Sequence, residues 1–285
     1  MSKFIISVEA TSDINKKIAE KYDIAVAPMN FMVDQKEYSS ADETMSPEIF
    51  YNSMKSGAKT TTSQVNTFQA KQFFENLLKE GKDILHISFS SALSGTCSNM
   101  KSVAEELNKT SANKIIVVDS LAASMGQAFI AILARLKENE AETVEELAQY
   151  AESIKLKMGH LFVVDALKYL SRTGRISKVT AAIGSVLQIK PILHVDNEGH
   201  LTSKAKVISR KKSLINLAEM VAKNKNNDSD MIFITHANCL EETNTVAKLI
   251  EEKTGITPEI LELGYVIGCH AGPGTIAVFY TTDAR

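Results

Sequence analysis

Three short stretches of this chain bring together residue types that could hold or transform a small anion. "AKTTTSQ", Ala58–Gln64, sets hydroxyl residues Thr60 to Ser63 in a row ahead of a helical pattern. "SSALSGT", Ser90–Thr96, follows an apolar run, "ILHIS", and precedes Met100, Val103, Ala104 and Leu107 on one helical face. "GCHAGPGT", Gly268–Thr275, surrounds His270 with glycines and a proline. Hydroxyls placed where a strand gives way to a helix attract anions, because the unpaired N–H groups and the helix dipole point the same way. Both hydroxyl stretches are open to a plainer reading, as N-caps of the helices that follow, and for 58–64 taken alone that reading is the stronger one. The glycine-rich loop lets backbone approach a ligand closely. Apolar segments flank it on both sides, which argues that His270 has a partner and is not incidental to a tight turn. A fourth stretch, "VVDALKYLSRTGRIS", reads as a short helix ending in a basic loop. There Arg172 and Arg175 could pair with acids, hold a phosphate or stand in solvent.

Several chemistries are excluded or weakened. No G-x-x-x-x-G-K-[ST] loop and no G-x-G-x-x-G fingerprint occurs, so the chain is a poor candidate for handling ATP or NAD alone. "SALSG" is not the G-x-S-x-G nucleophile elbow. A hydrolase built on Ser94 as nucleophile and His270 as base therefore has only the residue types in its favour. Cys97, Cys239 and Cys269 are far apart and odd in number, which argues against a disulfide framework or a Cys-x-x-Cys metal site. A formal net charge of −2 with no dense basic stretch gives no footprint for nucleic acid. The chain begins without a signal-peptide pattern and has no run long enough to span a membrane, so the expected address is the cytoplasm.

The elements that must position these residues follow from periodicity. With 285 residues and 44% hydrophobic content, the chain suits one large or two medium globular domains. In the first half, apolar runs at 4–8, 84–88 and 115–119 read as buried strands. Helical patterns lie between them, and Ser46-Pro47 reads as a cap followed by proline at the first helical position. Thr143 with Glu146 and Asn238 with Glu241 read as capping boxes. The second half differs: 191–195 and 201–207 read as a strand pair around "DNEGH", with further strands at 231–235, 259–263 and 276–280. The fold class expected is α/β in two domains. The N-terminal one, 1–157, is a parallel-sheet, Rossmann-like α/β/α unit; the C-terminal one, 158–285, is mixed α+β.

In their order and spacing the segments resemble the DegV family of bacterial fatty-acid-binding proteins. The marks are "TSD" (11–13), "TSQ" (62–64), "SSALSGT", "VVDS" (117–120), "LKYLSRTGRIS" (167–177), "IKPIL" (189–193), "HA" (236–237) and "GCHAGPGT". The resemblance implies a non-catalytic protein that holds a long-chain fatty acid between its domains. It would present the carboxylate to a separate ATP-dependent kinase subunit, which forms the acyl-phosphate. That division of labour accounts for the missing phosphate loop. A stand-alone fatty acid carrier or sensor is the alternative. No cofactor is expected beyond the lipid, no nucleic acid partner, and a monomer, with transient contact at a membrane surface compatible with the cargo.

Carried over by motif, the carboxylate ligands are Thr62, Ser94 and His270. Ser63, Gly95 and Thr96 complete the head-group loops, and Arg172 and Arg175 meet the partner or the phosphate. Phe89, Ile183, Val186, Leu187 and Ile192 are the expected lining of the acyl channel. The physics suits this assignment, since a buried carboxylate needs donors. At about 0.8 kcal/mol per methylene, some fifteen buried methylenes would contribute on the order of 10 kcal/mol before binding costs. The sequence also departs from the family pattern. Glu9 and Ala10 stand in "VEAT" where "TDST" is usual, Val65 replaces the proline of "TSQP", and Gln188 replaces the asparagine of "LNIKP".

Overall fold

Ile5–Glu9 (β1) and Ile84–Ser88 (β6) are buried along their whole length, which is why they read as continuous apolar runs and not as alternating ones. The computed structural model describes residues 2–42, 44–177 and 189–285. Strands β1 and β6 form the middle of a parallel sheet with Ile24–Ala27 (β2) and Ile115–Asp119 (β7), in the order β2-β1-β6-β7. Helices Thr67–Leu78 (α3) and Thr96–Leu107 (α4) pack together on one side of it, through Phe74, Met100 and Val103. Met125–Lys137 (α5) and Val144–Ile154 (α6) cover the other.

The second sheet is mixed. Its order is β10-β9-β8-β13-β11-β12, built from Met158–Val163 (β8), Ile192–Val195 (β9), Leu201–Ala205 (β10), Phe233–His236 (β11), Glu259–Glu262 (β12) and Ile276–Thr281 (β13). Helices Arg210–Asn224 (α8) and Leu240–Thr254 (α9) close its outer face with Leu217, Val221, Val246 and Ile250. Helix α5 touches strands of both sheets, so one apolar core runs from Val8 and Ile87 through Phe129 to Phe162 and Phe279. Gly126 permits that approach: a Cβ there would lie 1.9 Å from His160 Nε2. This is the expected architecture, a parallel-sheet α/β unit joined to a mixed α+β unit.

A small antiparallel sheet, Asn30–Val33 (β3), Lys36–Ser39 (β4) and Thr60–Thr62 (β5), was not legible in the sequence. With helix Pro47–Lys55 (α2) it leans on the C-terminal unit. Phe31 stacks on Tyr265 at 4.9 Å, and Tyr51 donates to Leu263 O at 2.6 Å. Helix α2 begins as its sequence indicates, with Ser46 as N-cap and Pro47 at the first position. In the other direction, the β9–β10 turn reaches the N-terminal unit, where Ser90 Oγ donates to Gly199 O at 3.0 Å. No helix among the described residues is long and apolar enough to cross a membrane.

Four local expectations need correction. Asn238 does not cap α9; the N-cap is Cys239, and Asn238, at φ 53°, turns its amide to Asn52 Oδ1 at 3.2 Å. The capping box at Thr143 is half formed, because Glu146 accepts from Glu142 N and not from Thr143 N. "AKTTTSQ" supplies a strand and not caps: α3 is capped by Asn66, which forms a full capping box with Gln69. "GCHA" is not loop but the end of a helix, Tyr265–Ala271 (α10), and only Gly272 and Gly274 take the left-handed backbone of a turn.

Candidate functional site

The site begins with two chain segments meeting end-on. Strand β5 ends at Thr62, and the last turn of α10 carries His270 against it, with Thr62 Oγ1 and His270 Nε2 2.7 Å apart. Gly268, two residues before His270, lets α10 press on Tyr51, whose hydroxyl oxygen would be 2.5 Å from a Cβ there. The other wall is the loop from β6 to α4. Thr96 Oγ1 accepts from Val65 N at 3.2 Å, and Asn99 Nδ2 donates to Val65 O at 2.8 Å, so the "TSQV" and "LSGT" stretches are stitched together. Val65 contributes an N–H that a proline at this position would lack. Gly95 leaves room at the seam for the Gln64 amide, which a Cβ would approach to 2.4 Å at Oε1 and would push aside.

Counting protons shows what remains for a ligand. Ser94 Oγ accepts from Thr96 N at 3.2 Å and lies 3.1 Å from Thr96 Oγ1. Either hydroxyl can donate in that pair, and where Thr96 donates, the Ser94 proton is left for a ligand. His270 is held in its neutral form: burial, then the positive charges of Arg175 and Arg172, push it down to about 4. Its Nδ1 is buried without a partner. Placing the single ring proton on Nε2 leaves no orphan donor, and His270 then donates to Thr62. The Thr62 hydroxyl proton is freed in turn. The Thr62 and Ser94 hydroxyls thus converge near the N-terminus of α4, whose first N–H is already taken by Ser94 Oγ, an arrangement suited to a carboxylate.

Behind them opens a largely apolar cavity of about 300 Å³ between the two sheets. Thr62, Gln64, Ser94, Arg175 and His270 line one part, and Phe89, Leu93, Phe162, Val195, Leu201 and Phe279 line others. Among the expected residues, Phe89 lines the cavity and Ile192 does not. Ile192 points to the outer face of the second sheet, packed with Leu161 and Leu214, because side chains alternate along β9 and it is Val195 that faces inward. Ile183, Val186 and Leu187 lie outside the described residues. Ser63, Gly95 and Thr96 shape the loops without lining the cavity. Arg175 Nε donates to Leu93 O at 3.3 Å at the cavity wall, whereas Arg172 is exposed and donates to Thr60 O at 3.2 Å.

Sequence reasoning missed the polar group beneath this site. Glu9 is fully buried and accepts from Ser88 Oγ, Phe89 N and Gln127 Nε2. Burial raises its carboxyl, but the His86 imidazole and the bonds from His86, Ser88 and Phe89 outweigh that and hold it below the ordinary range. Asp13 of "TSD" bridges the units, accepting from Gly264 N at 3.0 Å, and burial lifts it to about 7. Among the described residues no group of His, Cys, Asp and Glu is placed to hold a metal ion. Ser94 bonds to Thr96 and His270 to Thr62, so the pair required of a serine nucleophile and its base is not formed.

A family model for DegV, described as a family of uncharacterised proteins, matches residues 3–283. The chain belongs to the DegV family. A DegV domain-containing protein of Clostridium perfringens is 38% identical, covering 100% of this chain and 99% of that protein. Among solved structures, the DegV fatty acid binding protein of Bacillus subtilis is 26% identical with a TM-score of 0.82, covering 99% of this chain and 100% of that one. A DegV lipid binding protein of Thermotoga maritima is 27% identical with a TM-score of 0.83, covering 99% of each chain. The DegV fold therefore extends over essentially the whole of this chain.

Proposed function

We propose that this DegV protein binds a long-chain fatty acid in the cavity between its sheets and presents the carboxylate to a separate kinase subunit. The observation that carries the reading is the joining of a largely apolar cavity to two hydroxyls, of Thr62 and Ser94, that line its polar end. The Bacillus subtilis and Thermotoga maritima proteins, described as fatty acid and lipid binding, support it. The carboxylate accepts from Thr62 and Ser94 at the N-terminus of α4, and His270 orients Thr62. The acyl chain runs inward past Phe89 toward Phe162 and Phe279. Arg175 at the wall offers positive charge to the acyl-phosphate that the partner, holding ATP, would form. The protein itself needs no cofactor for this role and acts as a monomer in the cytoplasm.

Mass spectrometry of an organic extract, with native mass spectrometry of the intact protein, tests the first half. One equivalent of long-chain fatty acid is expected; an empty protein that also takes up no added fatty acid would overturn the reading. Acyl-phosphate formation on adding a fatty acid kinase subunit and ATP tests the second half. Bound lipid with no turnover would leave the chain a carrier.

A further inference from the structure

Two residues that line the cavity, Thr11 and Phe89, come from separate turns, after β1 and after β6. Both are tied to Glu9. Its Oε2 accepts from Phe89 N at 3.0 Å and from Gln127 Nε2, on the first turn of α5. Gln127 Nε2 also donates to Ile87 O at 2.9 Å, and its Oε1 accepts from Thr11 Oγ1 at 3.0 Å. On the far side His86 Nε2 stands 3.1 Å from Glu9 Oε1, with His86 Nδ1 2.9 Å from Ser7 Oγ. A fully buried carboxylate persists only where donors surround it. Here two of those donors lead, directly or through one amide, to opposite parts of one cavity wall.

We propose that Glu9 is a positioning residue that sets the shape of the acyl channel, and so its choice between straight and bent chains, by fixing Phe89 and Thr11 relative to each other. The proposal rests on the lipid-binding reading above and adds a specificity determinant to it. Side-chain length is the critical variable. An aspartate withdraws the carboxylate by one carbon–carbon bond and cannot keep both Phe89 N–H and the Gln127 amide in reach. One arm is released, and the wall between Phe89 and Thr11 becomes compliant. A rigid wall discriminates ligand shapes and a compliant one does so less.

The test uses the full chain, stripped of lipid, and two eighteen-carbon acids: saturated stearate and cis-monounsaturated oleate. Dissociation constants come from displacement of a fluorescent acyl probe, with thermal unfolding measured in parallel. Wild type, Glu9→Asp, Thr11→Val and the double variant are compared. The expected result is that each single variant moves the ratio of the two constants toward unity, Thr11→Val by about fivefold, the effect of one neutral hydrogen bond, and Glu9→Asp, which releases a bond to a charged carboxylate, by at least as much. The double variant moves it little further, because both changes cut one connection. Equal changes in both constants, with only the unfolding temperature moving, would overturn the proposal and leave Glu9 as part of the fold. A wild-type protein that does not distinguish the two acids overturns it as well. Thr11→Val is nearly isosteric and decides the question even where Glu9→Asp does not fold. Wild type that binds neither acid refutes the lipid-binding reading itself, an outcome separate from a failed ratio.

Discussion

Replacing Thr62 by valine keeps the shape of the side chain and removes one hydroxyl. In the free protein His270 Nε2 loses its partner at 2.7 Å; in the complex the carboxylate loses a donor as well. The first loss is common to both states and largely cancels from the affinity. The second is a hydrogen bond to a charged group, about 1.5–3 kcal/mol, so the dissociation constant should rise by about 10- to 150-fold. The apolar lining is untouched. Each additional methylene should still contribute about 0.8 kcal/mol, close to fourfold in affinity. The assay is displacement of a fluorescent acyl probe by saturated acids of about twelve to eighteen carbons, in wild type and variant. Plotted against chain length, the logarithms of the constants should form two parallel lines separated by one to two decades. Coincident lines would place the carboxylate elsewhere. Lines of different slope would mean that Thr62 shapes the acyl channel, contrary to the division between head group and chain argued here.

Three further outcomes follow from the same geometry. His270 is lowered to about 4 from 6.5, so below neutrality the unfolded chain takes up its proton first. Its contribution is present above about pH 6.5 and lost as pH falls toward 4, about 3 kcal/mol in all. Urea melts at pH 7 and 4.5 should show wild type losing more stability than His270→Gln, and parallel losses would contradict the burial argument. Gly199 has φ +84°, and a Cβ would lie 2.2 Å from Ser90 Oγ and 3.3 Å from Leu121 Cα. Gly199→Ala should therefore cost more than about 1 kcal/mol and speed lipid release, measured by stopped-flow exchange; unchanged release would show that the turn does not hold the channel shut. Burial pushes Cys97 up to about 11 and Cys269 up to about 12, so both should resist thiol reagents until urea unfolds the chain. Fast modification of either in the native protein would contradict their placement.

What the sequence disclosed depended on how local the determinants were. Ile84–Ser88 and the helix after it were legible because an apolar run and a helical stripe are each written within a dozen residues. The start of α2 at Ser46-Pro47 was legible for the same reason. Residues 58–64 misled, since four hydroxyls suit a cap or an edge strand, and pairing with Phe31 and Val33 decided between them from thirty residues away. His270 was found by its glycines, but their meaning was inverted: Gly268 serves close packing of a helix on Tyr51 and not a loose loop. Thr62, Ser94 and His270 came from motif resemblance, and what joins them is long-range contact that periodicity does not encode. Glu9 was visible only as a departure from pattern; its partners Ser88, Phe89 and Gln127 lie some 80 to 118 residues on. Ile192 was misassigned because a buried isoleucine on a strand has two faces to choose from, and only the pairing of β9 with β8 selects one.

The cavity between the sheets has a bearing on the lifetime of the protein as well as on its cargo. Voids made by truncating core side chains cost about 24 cal/mol per Å³. On that scale about 300 Å³ corresponds to about 7 kcal/mol, comparable with the entire stability of an ordinary domain. A fatty acid that fills it becomes a non-covalent part of the core shared by the two units. Empty copies would unfold more often and be the first degraded, so the amount of protein a cell retains would follow the supply of lipid. On the proposed reading the ligand would be selected twice, once by the hydroxyls at its head and once by the proteolysis of chains lacking it.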